Sequence, residues 1–199
     1  MTALPRSRRR SRGLRAARTV GAILLLASCG VGGIDSSGVA PISNDDTYAL
    51  LGYLWSGVQS SIEREREPST DTFSLALTYQ LPCTRGGSGS YHGTLAGTKA
   101  NGAGTANLNV TATLIECQFD DNARTITRIS ASGVVVSGTV AVESDSWGAI
   151  NVHMLASTVT VNGVVCPGGV DVVLTGTAPS ARPVSTGTAC GRTGAVALP

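Results

Sequence analysis

Seven side chains are the best placed to do chemistry: Cys29, Cys83, Cys117, Cys166, Cys190, His92 and His153. Cys29 stands apart, directly after a short apolar run. The other four thiols are spaced by 34, 49 and 24 residues, with no close pair and no histidine beside them, which does not suit a zinc site. In an oxidising compartment four such cysteines read as two disulfides, for which three connectivities exist. Either histidine could serve as a general base. However, the chain has no nucleophile elbow, no His-Glu pair at helical spacing and no glycine-rich phosphate loop opening a helix. Asp120-Asp121-Asn122 clusters oxygens of the kind that suit calcium, but without EF-hand spacing it reads as a turn. The sequence thus names no catalytic residue, no cofactor-binding residue and no metal ligand.

Ahead of Cys29, seven arginines (Arg6, Arg8, Arg9, Arg10, Arg12, Arg15 and Arg18) precede the eight-residue apolar run Val20–Ala27. That run is far shorter than the ~20 residues a helix needs to cross a bilayer. Residues 1–28 therefore read as an export signal rather than a membrane span. Leu26-Ala27-Ser28-Cys29 resembles the lipobox of bacterial lipoprotein precursors. The resemblance implies removal of residues 1–28 and acylation of the Cys29 thiol by chains such as palmitate, each buried CH₂ contributing about 0.8 kcal/mol. The paired arginines hint at twin-arginine export, but Ser11 and Arg12 stand where that signal carries hydrophobic residues. Gly30 follows Cys29, with no aspartate there to favour the inner membrane. The implied address is the bacterial cell envelope, anchored by lipid, with the outer membrane favoured.

The formal charge of +2 belongs to the precursor. All 13 acidic residues and only eight basic ones lie beyond Cys29, so the mature chain carries about −5. An acidic surface of that kind argues against nucleic-acid binding, which needs clustered Lys and Arg. From Cys29 the chain has 171 residues, enough for one domain with a real core. Its palette of Gly, Thr, Ser and Val is that of short strands and tight turns.

The elements that must position these groups follow from periodicity. Cys29 to Ser43 is a Gly- and Ser-rich tether, and residues 44–199 form one domain. Ser43-Asn44-Asp45-Asp46 supplies a helix start. Tyr48, Leu51, Leu54, Trp55, Val58 and Ile62 then form one apolar stripe, predicting a helix to about Glu67, stopped by Pro68. The charged run Glu63–Glu67 is its solvated end. Trp55 reads as the anchor of that helix on a sheet.

From Thr70 the period becomes two. Phe73, Leu75, Leu77, Tyr79 and Leu81 share one face of a strand. Asn101-Gly102 predicts a two-residue hairpin turn in which paired residue numbers sum to 203, setting apolar against apolar. Thr125–Val142 is a further strand, with Gly133 and Gly138 marking bulges or bends. Asn162-Gly163 closes a second hairpin between Ala149–Val161 and Val164–Thr175. Its register fails partway, where Met154 would face Asp171. One extra residue at Pro167-Gly168-Gly169 repairs it, predicting a β-bulge there. A last strand, about Pro183–Cys190, precedes a loose tail. This layout puts Cys83 with Cys117 and Cys166 with Cys190, each pair at a shared end of the sheet, and places both histidines on wet faces.

The expected fold is mainly β. One N-terminal amphipathic helix packs on a curved, antiparallel, mostly up-and-down sheet of about seven strands, half-barrel or barrel-like. Lipid-carrying envelope lipoproteins share that general plan, though no particular residues. The functional expectation is a non-enzymatic envelope lipoprotein of structural or interaction type, its partners the membrane through acyl chains and a protein not identified. The alternative is a carrier holding an apolar ligand between helix and sheet, where Gly93, Val110, Ala112, Ala156 and Val170 leave room. An apolar cavity of several hundred Å³, against a close-packed core, separates the two.

Overall fold

A computed structural model describes residues 42–65, 70–120, 126–144 and 146–198. The leader, Cys29, most of the tether, Pro68, Asp121, Asn122 and Asp145 fall outside them. No helix among the described residues is long and apolar enough to cross a membrane.

The helix α1 (Asn44–Glu63) starts where the Ser43 hydroxyl accepts the Asp46 N–H at 3.0 Å, with Asp45 and Asp46 in the positive first turn. It ends a turn before Pro68. Arg64 leaves the helix with its guanidinium 4.6 Å from the centre of the Tyr79 ring, and the Trp147 indole donates to the Glu65 carbonyl at 3.2 Å. Contacts with the sheet thus hold the chain where it leaves the helix. From Leu50 to Ile62 the buried face of α1 is wider than one stripe, taking in Leu50, Gly57 and Ser61, while Gly52, Tyr53, Ser56, Gln59 and Ser60 stay half-buried. Leu50, which the stripe omits, is fully buried; Tyr48, which it includes, is 36% exposed.

The strands are β1 (Thr72–Leu81), β2 (Gly86–Ala100), β3 (Ala103–Asp120), β4 (Ile126–Glu143), β5 (Ser146–Ala156), β6 (Thr158–Val161), β7 (Val164–Val165), β8 (Val170–Gly176), β9 (Val184–Ala189) and β10 (Arg192–Ala197). They form one antiparallel sheet in the order β1-β2-β3-β4-β5-β8-β9-β10, with β6 paired to β4 and to β7. β1 and β10 are its two ends, so the sheet is curved but open.

The first hairpin has the predicted register from Ser88↔Ile115 to Ala100↔Ala103. Asn101 and Gly102 hold the left-handed conformations such a turn requires, with φ of 54° and 79°. The predicted repair in the second hairpin is also present. Thr160 pairs with Val165, but Ile150, Val152, Met154 and Ala156 pair with Gly176, Leu174, Val172 and Val170, one residue out of step. The extra residue sits between Cys166 and Gly169, where Gly168 and Gly169 both have positive φ.

Among the described residues there are ten strands rather than about seven, for three physical reasons. The predicted strand Ala149–Val161 bends at Ser157 into β5 and β6, which continue along β4 in one register. Its partner is cut by the bulge into β7 and β8. The predicted loose tail is instead β10, turned back on β9 by Cys190 and Gly191, with φ of 51° and 74°.

Gly133 does mark a bulge: between Val134 and Ala131, β4 carries one residue more than β3. An opposite slip at Ile115–Glu116 restores the register by Cys117↔Ile129. Inside the curve, Leu54, Val58, Ile62, Tyr91, Leu95, Val110, Val136, Met154 and Leu174 are all fully buried in one core.

Candidate functional site

The space between α1 and the sheet is where the carrier alternative would hold its ligand. Tyr91 rises from β2 into the helix, donating its hydroxyl to the Tyr53 carbonyl at 3.2 Å. Its ring lies against Gly57, and a β-carbon there would collide with it. Burial pushes the Tyr91 phenol above its ordinary pKa, with a smaller contribution from Tyr79. The Tyr53 ring stacks on Phe119 with centroids 3.5 Å apart. Trp55 is 2% exposed and anchors the helix, its indole N–H without a partner among the described residues. Gly93 leaves no room, because a β-carbon there would strike the backbone of Asn109 and Val110. That glycine marks a close approach of two strands, not a void.

The cysteines pair as the layout predicts, Cys83 with Cys117 and Cys166 with Cys190. The first bond ties the end of β1 to β3. The second joins the bulge before β8 to the turn after β9. Cys29 lies outside the described residues.

Both histidines lie on the outer face. His92 is exposed, between Thr78 and Thr111 in the ladder. His153 is paired across strands with Ser137 on one side and Val173 on the other. Its Nε2 lies 2.7 Å from Asp171 Oδ1, both side chains about half exposed or more. Asp171 reaches it because the bulge sets Val173, not Val172, opposite His153 and so turns Asp171, two residues along β8, to the same face. Serine, histidine and aspartate therefore share one patch of surface. A hydrolytic triad needs the base hydrogen-bonded to the serine and donors for an oxyanion. Among the described residues no hydrogen bond joins Ser137 to His153, and the patch lies on an open sheet face. The arrangement can hold an ion pair when His153 is protonated.

Among the described residues no group of three or more His, Cys, Asp or Glu could hold a metal ion. Around the pair, the outer face is built of short polar side chains. Asn107, Thr139, Asn151 and Thr175 form one cross-strand row, and Thr94, Asn109 and Ser137 continue into another. Val135, Leu155 and Val173 are apolar exceptions there, each more than a third exposed. The corrected register, rather than any motif, sets His153 against the Val173/Asp171 region in the sequence, and the structure places it there. Compared with known proteins, the chain matches no family model, no curated protein and no solved structure.

Proposed function

We propose that this chain is a lipoprotein of the bacterial envelope, acylated at Cys29 and carrying a non-enzymatic domain that works as a structural or interaction module. The observation that carries the reading is how the domain spends its interior. Leu50, Leu54, Val58, Ile62 and Tyr91 are all at 0% exposure, so the middle of the fold holds side chains rather than ligand. The polar, strand-spanning outer face is the surface left for partners. Outer-membrane placement belongs to the same proposal and rests on Gly30 following Cys29. The filled helix–sheet core gives the apolar-carrier alternative no support.

The test is expression of the full chain in a host with two membranes, with fatty-acid labelling and membrane fractionation. The expected result is a labelled protein in the outer-membrane fraction, with label and membrane association both lost in Cys29→Ala. An unlabelled protein, or a variant that still fractionates with membrane, overturns the anchor. Organic extraction of the purified domain tests the rest: a stoichiometric lipid would reinstate the carrier.

A further inference from the structure

The helix and sheet part company at one place. Asn44, Thr47, Tyr48 and Leu51 lie on one face of the first two turns of α1, looking toward β8, β9 and β10. Here the sheet's concave residues include Ser185, Gly187 and Ala189 on β9 and Gly194 on β10. The result is a groove of about 400 Å³, within the roughly 300–1,000 Å³ of small-molecule sites. It also explains why Tyr48 remains partly exposed: no large side chain stands across from it.

Two polar groups make the groove more than a packing gap. Ser185 is only 3% exposed, faces the concave side between Leu174 and Val196, and its hydroxyl makes no hydrogen bond among the described residues. What access that hydroxyl keeps is to the groove it lines, so water or a ligand there is its partner. Among the described residues Arg192 is the only charged one lining the space. One of its N–H groups donates to the Ile42 carbonyl at 2.6 Å, which fixes the guanidinium and leaves its other donors without protein partners among the described residues. Asp46 is engaged elsewhere, with Ser43 and Asn162, and does not line the groove.

We propose that this groove binds a small sugar that carries a carboxylate. Arg192 takes the carboxylate, an acceptor matched to a guanidinium. Ser185 and Asn44 meet sugar hydroxyls, and Thr47 can only accept, because its own hydroxyl hydrogen is given to the Ser43 carbonyl at 2.9 Å. The Tyr48 ring, with Leu51, faces the C–H side of the sugar ring. A lining more polar than apolar suits such a ligand. This site is independent of the lipid anchor and adds a ligand to the proposed interaction module.

The test is titration of the full mature chain, in detergent if lipidated, with D-glucuronate and with D-glucose as the uncharged control, followed by NMR or calorimetry. Gly194→Leu is the blocking variant: a β-carbon at Gly194 meets nothing within 4 Å, so the larger side chain fills the groove without a backbone clash. Saturable glucuronate binding, lost in Gly194→Leu, is the expected result. Arg192→Gln should weaken glucuronate by about tenfold or more, the worth of one charge-assisted hydrogen bond, and leave glucose unchanged. Absence of saturable glucuronate binding, or binding that Gly194→Leu leaves intact, overturns the site. Equal affinity for the two sugars overturns the carboxylate assignment. Unchanged near-UV dichroism in both variants shows that the comparison is made on folded protein.

Discussion

Gly57 and Tyr91 set how closely helix and sheet can approach. The glycine is costly to a helix taken alone, by about 1 kcal/mol, yet any β-carbon there would enter the Tyr91 ring. Gly57→Ala should therefore destabilise the domain despite its better helix propensity, by about 1–3 kcal/mol as an overpacked site, measured by urea unfolding. Tyr91 also predicts a pH dependence. Its phenol pKa is raised in the folded state by burial, so the folded protein keeps the proton that the unfolded chain gives up. That contribution is fully present below about pH 10, the ordinary tyrosine value, and is lost as pH rises toward the folded-state value. Tyr91→Phe, which keeps the ring but cannot ionise, should flatten the alkaline limb of a stability-against-pH curve. The sequence did not reveal this pair. Tyr91 and Gly57 are 34 residues apart in separate elements, and the glycine reads locally as a weakness.

At the scale of the element, turn chemistry decided what could be foreseen. Asn101-Gly102 sets its own register because those two residues accept left-handed conformations readily, and the hairpin follows by counting. The bulge before β8 was visible because without it Asp171 would stand where Val172 is needed, opposite Met154. Deleting Gly168 should therefore force β8 one step along β5 and present Asp171 to the core. The expected outcome is loss of the cooperative unfolding transition by circular dichroism; a deletion that unfolds like the parent would show that the register is not fixed here. The turn between β9 and β10 stayed hidden, because Cys190 occupies a position normally given to Asn, Asp or Gly. Its left-handed conformation comes with a bond to Cys166, 24 residues away, which no local pattern contains. For the same reason the groove could not be foreseen: it needs β10, and β10 needs that turn.

For the whole molecule, the two disulfides are set in unequal places. Each closes a loop of a few tens of residues and should contribute about 3–4 kcal/mol in the loop-closure model. Paired Cys→Ala variants at 83/117 and at 166/190 should each lower unfolding stability by about that amount. Their local effects should differ. Only the 166/190 variant should speed amide exchange along β10, because β10 is the end strand of the sheet and its turn includes Cys190. Equal exchange in the two variants would show that β10 holds without the bond. The acidic balance, the helix, the first hairpin and both cysteine pairs could be read from sequence, since each follows from local pattern or from counting. The full width of the helix's buried face could not, because it depends on curvature summed over many strands. The Cys166–Cys190 bond has one more consequence, bearing on when in its life the protein becomes competent. While the thiols are reduced, the strand carrying Arg192 and Gly194 lacks its clasp. On the proposed envelope placement, a chain still reduced in the cytoplasm should be blind to the proposed sugar, and oxidation after export should switch that recognition on.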